Sequence, residues 1–68
     1  MKLIVNGKSE VCDEQIMLGE LLYLNKIKPD EKGVAVALNE VVVFRAKWSD
    51  TIVRDGDRIE IIRATQGG

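Results

Sequence analysis

The sequence has no histidine, one cysteine and one proline, and each scarcity closes a class of explanation. Without histidine there is no histidine base for acid–base work and no Cys/His zinc site. Cys12 alone cannot close an internal disulfide, so no disulfide framework holds the fold and a reducing cytoplasm suits the chain. As a nucleophile Cys12 has no histidine partner, and Lys8 is its only cationic neighbour in sequence, so it reads as a packing or edge residue. An excess of charge is missing too. Ten basic against eleven acidic side chains give a net charge of -1, which excludes the basic footprint of a nucleic-acid binder. No apolar run approaches a membrane span, and Met1 to Gly7 turns polar too early for a signal peptide. A cytoplasmic protein with neither nucleic acid nor membrane as partner is expected. There is no phosphate loop of the Gly-x-x-x-x-Gly-Lys kind and no recognisable set of metal ligands.

What is present is enough for one small folded domain. The chain has 68 residues, and its hydrophobic fraction of 46% is too high for a disordered segment. Lys2 to Asn6 is a short apolar-rich run ending in Asn6-Gly7, the dipeptide best suited to a two-residue type I′ hairpin turn, and Ser9 to Asp13 is the expected returning strand near a sheet edge. The spacing of Leu18, Leu21, Leu22 and Asn25, with Met17 and Leu24 overlapping, predicts a helix over Ile16 to Ile27 that is stopped by Pro29. Gly19 within it costs about 1 kcal/mol relative to alanine. Gly33 to Leu38 reads as a buried strand, Asn39-Glu40 as a tight connection and Val41 to Phe44 as a further strand. A turn or helical loop follows around Trp48, a core or rim anchor, and Thr51 to Val53 is briefly extended. Asp55-Gly56-Asp57 is a turn, and Arg58 to Arg63 is the last strand, with Ile59 and Ile61 on one face and Ile62 on the wet one. The order strand, strand, helix, strand, strand, strand predicts an α+β fold of the beta-grasp (ubiquitin-like) kind, a mixed sheet with one crossing helix. Residues 1–63 form the single domain in this reading, and residues 64–68 are a flexible tail ending in Gly-Gly.

The Asn6-Gly7 hairpin, Glu20-Leu21-Leu22, Val36-Ala37-Leu38-Asn39-Glu40, Arg45, Trp48, Asp55-Gly56-Asp57 and the final Gly67-Gly68 together span nearly the whole chain. The set resembles the sulfur carriers of thiamine biosynthesis called ThiS. Met17 stands where that family commonly has serine or threonine near the helix start, and Phe44 stands where it often has proline. The resemblance implies that the Gly68 carboxylate is the carrier site. A ThiF-type adenylating enzyme would attach AMP to it using ATP and Mg, a persulfide donor would supply sulfur, and the resulting thiocarboxylate would serve a thiazole synthase. On this reading the protein is a co-substrate and not an enzyme, with no bound cofactor and no metal of its own.

The tail suits that role physically. Two glycines at the last two positions arise by chance about once in two hundred sequences. Gly67 and Gly68 carry no side chain to obstruct a partner's cleft, and Ala64-Thr65-Gln66 act as a tether of small or uncharged residues. Ile4, Phe44 and Ile62 are candidates for an apolar docking patch on the open sheet face, or are merely buried or scattered. Arg58 and Arg63, which flank the last strand, either steer an acidic partner or form an ordinary solvated edge. Three other readings fit part of the pattern: a sulfur carrier for molybdopterin synthesis, a ubiquitin-like protein modifier, and a beta-grasp binding module without covalent chemistry. The first lacks its usual proline-bearing segment before the tail, since Ile61 to Gln66 contains no proline.

Overall fold

A computed structural model describes residues 1–64; Thr65 to Gly68, and with them the expected tail and carrier residues Gln66, Gly67 and Gly68, lie outside the described residues. The first hairpin forms where Asn6-Gly7 predicts it. Strands β1 (Lys2–Val5) and β2 (Lys8–Val11) pair antiparallel with Val5 opposite Lys8. Asn6 and Gly7 take φ values of 51° and 81°, the positive pair that a type I′ turn requires.

The helix is shorter than its sequence pattern. Ile16 and Met17 form strand β3, and α1 covers only Leu18–Leu24. The competing partner is β6 (Ile52–Val53), which pairs antiparallel with β3, while the Leu18 N–H donates to the Thr51 carbonyl at 2.7 Å. At the start Glu20 reaches back to accept the Met17 N–H at 3.2 Å. At the end the N–H groups of Lys26 and Ile27 donate to the carbonyls of Tyr23 and Leu22, both at 2.9 Å, and Lys26 has φ +68°. This is a Schellman ending with lysine at the left-handed position where glycine is usual. The local cap therefore terminates the helix ahead of Pro29. With only seven residues the helix buries Leu18, Leu21 and Leu22, and Leu24, read as part of the stripe, is exposed.

Strand β4 (Val34–Leu38) follows, then β5 (Val41–Val42), a 3₁₀ helix (Arg45–Asp50), β6 and β7 (Arg58–Arg63). The expected strand Val41 to Phe44 ends early: Val43 donates one more ladder bond to Val36 at 2.9 Å, and Phe44 leads into the 3₁₀ helix. A larger sheet has the order β2-β1-β7-β4-β5, and β3 and β6 form a small second one. Its parallel pair joins β1 to β7, with Val5 beside Ile59, and β4 runs antiparallel to β7. The crossover thus returns with the last strand and not with β4, the strand that directly follows the helix.

Alternation along these strands sends Leu3, Val5, Val36 and Ile59 to the face under α1, where they meet Leu18, Leu21, Leu22, Ile27, Trp48 and Val53 in one buried cluster. Trp48 anchors the 3₁₀ helix there, and its indole N–H donates to the Val43 carbonyl at 2.9 Å. Cys12 is half-buried against the same cluster. This is the beta-grasp arrangement that the element order predicts.

Candidate functional site

The end of β7 is the part of the described chain nearest in sequence to the expected carrier residues. The Ala64 N–H donates to the Gly33 carbonyl at 2.6 Å. Arg63 Nη2 donates to the Lys26 carbonyl at 3.0 Å, and its Nε lies 3.4 Å from Glu31 Oε2. All three partners belong to the connection between α1 and β4. That connection is held from its other side by Arg45, which donates to the carbonyls of Pro29, at 2.6 Å, and of Glu31. The Arg45 guanidinium also stacks 4.6 Å from the centre of the Trp48 ring. Arg45 and Trp48, singled out in the sequence as part of a resemblance, thus meet in one structural unit.

The sheet face away from α1 carries the other candidates. Ile4 of β1 and Arg58, Glu60 and Ile62 of β7 alternate onto that face, opposite to buried Val5 and Ile59. Ile62 is 62% exposed and lies beside Ala35 of β4, while Ala37 lies between Glu60 and exposed Val42. Ile4, at 36% exposure, sits next to Arg58, four residues back along β7 from Ile62 and so about 13 Å away. Phe44 is 76% exposed but stands beyond the end of β5. The three proposed patch residues are therefore spread out. The apolar surface that accompanies Ile62 is made by Ala35, Ala37 and Val42, which sequence reasoning missed although the alternation in Val34-Ala35-Val36-Ala37 carries the signal. Arg58 and Arg63 lie at opposite ends of β7 and on opposite faces, Arg58 being 3.7 Å from Glu40.

An open groove of about 550 Å³ runs between α1 and the 3₁₀ helix, with Gly19, Tyr23, Ile27, Arg45 and Trp48 in its walls. Among the described residues no group of acidic or cysteine side chains is placed to hold a metal ion, and no helix is long and apolar enough to cross a membrane.

With the fold and these surfaces in view, the ThiS family model matches residues 3–68. The chain belongs to the ThiS family. It is 31% identical over 68 residues to the sulfur carrier protein ThiS of Escherichia coli (strain K12), covering the whole of both chains. The crystal structure of the thiamine biosynthesis protein ThiS from Geobacter metallireducens superimposes with a TM-score of 0.82 at 37% identity, again over the whole of both chains. A thiazole synthase of Paramagnetospirillum magneticum (strain ATCC 700264 / AMB-1) is 31% identical over 68 residues, which are all of this chain but 20% of that protein. As a ThiS protein the chain is a sulfur carrier of thiamine biosynthesis and not itself a catalyst. Of the four readings that the sequence left open, the family match favours the sulfur carrier of thiamine biosynthesis.

Proposed function

We propose that the carrier site is the C-terminal carboxylate of Gly68. The observation that supports this reading is that the family match runs to residue 68, so Gly67-Gly68 lies within the stretch aligned with the ThiS family. A carboxylate is a poor electrophile because its charge is delocalised and oxide is a poor leaving group. A ThiF-type enzyme solves this with ATP and Mg by forming the acyl-adenylate and releasing pyrophosphate. The terminal sulfur of a persulfide donor then attacks the acyl carbon and expels AMP, and a thiol attacks the donor's sulfur in the acyl disulfide, leaving the thiocarboxylate and a disulfide between donor and thiol. Glycine suits the position because a chain end without side chains passes through a narrow cleft.

The acceptor is a thiazole synthase, a reading supported by the protein of that name that contains a segment similar to this entire chain. Residues 1–63 are the docking body in this account and 64–68 the segment that enters partner sites, in the cytoplasm. Docking uses the open sheet face, centred on Ile62, with Ile4 and Phe44 at its margins and Arg58 beside Ile4. The buried cluster is built from residues 3 to 59, so removing Gly68 separates carrying from folding. A chain lacking Gly68 is expected to unfold at the same temperature as the full chain and to fail to restore thiazole formation in cells lacking their own carrier. Restoration by the shortened chain would refute the assignment.

A further inference from the structure

The last described residues are tied down more than an exposed strand end requires. Arg63 and Ala64 together make three contacts with the segment from Lys26 to Gly33: a hydrogen bond to Lys26, an ion pair with Glu31 and a hydrogen bond to Gly33. That segment has no sheet ladder of its own, so its carbonyls need donors from elsewhere. Two arginines supply them, Arg45 from the Trp48 side and Arg63 from the end of β7, each offering a planar fork of N–H groups. Glu31 is the shared member. Its carbonyl accepts from Arg45, its carboxylate faces Arg63, and the same carboxylate accepts the Lys28 N–H at 3.3 Å. Gly33 completes the unit with φ +73°, and a Cβ there would meet the Ala64 Cβ at 3.4 Å.

Little of this serves stability. The Arg63 and Glu31 side chains are 51% and 30% exposed, and such a pair adds little to folding free energy. Its effect is geometric: it fixes where Ala64 sits. From Ala64 to Gly68 the backbone reaches at most about 14 Å, so the placement of Ala64 bounds where the terminal carboxylate can be delivered once the body has docked.

We propose that Arg63 is a positioning residue for the carrier reaction, holding the root of the tail through Glu31 and the Lys26 carbonyl so that Gly68 reaches the adenylating site in register. This rests on the assignment of Gly68 as the carrier site. A misplacement of 1 Å at a reacting group can cost about a hundredfold in rate, and loss of the two Arg63 contacts should cost less because Ala64 keeps its hydrogen bond to Gly33.

The test compares Arg63→Ala, Arg63→Lys and Glu31→Gln in the full-length chain, using a purified ThiF-type enzyme with Mg-ATP and, separately, amide hydrogen exchange at Ala64. Arg63→Ala should speed Ala64 exchange and lower kcat for adenylation about tenfold with KM nearly unchanged, at an unchanged melting temperature. Glu31→Gln should do the same more weakly, and Arg63→Lys should recover part of the loss. Unchanged Ala64 exchange in Arg63→Ala would overturn the proposal. So would a rise in KM alone with Glu31→Gln silent, which is the signature of Arg63 touching the partner directly. Failure of the Gly68 assignment looks different: the chain lacking Gly68 would still be adenylated, whatever the exchange at Ala64.

Discussion

Within β7, residues three apart meet opposite fates. Ile59 is fully buried under α1, whereas Ile62 on the other face is 62% exposed. The same contrast runs through the sheet, with Leu3, Val5 and Val36 inside and Ile4 and Val42 outside. Inner positions have a helix to cover them, so their hydrophobicity is explained by folding alone. Outer positions have none among the described residues, so folding alone does not explain their apolar character, which the proposed docking would use. The body thus has one face that holds it together and one that the proposed docking assigns to partners.

Substitutions along this strand should separate the two. Ile59→Ala removes atoms from a closed core and should cost about 2–5 kcal/mol, which in so small a domain leaves it close to unfolding in a urea titration. Ile62→Asp should change stability by no more than about 0.5 kcal/mol, yet raise the KM for adenylation about tenfold with kcat intact. Equal stability losses at both positions would collapse the distinction. The smallest expected effect sharpens it from a site on neither face. Glu40 holds φ +72° in the turn between β4 and β5, a conformation that suits glycine. Glu40→Gly should raise stability by about 1 kcal/mol, since the exposed Arg58 pair it removes is worth little, and should leave adenylation kinetics unchanged.

Local chemistry explains which features could be read in advance. Asn6-Gly7 and Asp55-Gly56-Asp57 are turns whose geometry is written in adjacent residues, and β7 follows from its alternation. The helix boundaries were not so written. Ile16-Met17 carries a helical pattern but is claimed by β6, more than thirty residues away. The end is set by a left-handed lysine that sequence reasoning would have expected to be glycine, so Pro29 took the credit for a stop made at Lys26. The spread of Ile4, Ile62 and Phe44 was hidden for a related reason. Alternation tells which face a residue takes, but the register between β1 and β7, fixed by long-range pairing, decides how far apart two residues on that face lie. The anchoring of Arg63 and Ala64 to the segment after the helix had no sequence signal, because it joins a strand end to backbone carbonyls.

The central claim is that this body presents a carboxylate on which others act. It is tested most directly by intact-mass and fragment-ion measurement of the full chain after incubation with a ThiF-type enzyme, Mg-ATP and a persulfide source. The account predicts exchange of one oxygen for sulfur, located at Gly68 and dependent on ATP. Sulfur found on Cys12, or on Gly68 without ATP, would contradict it.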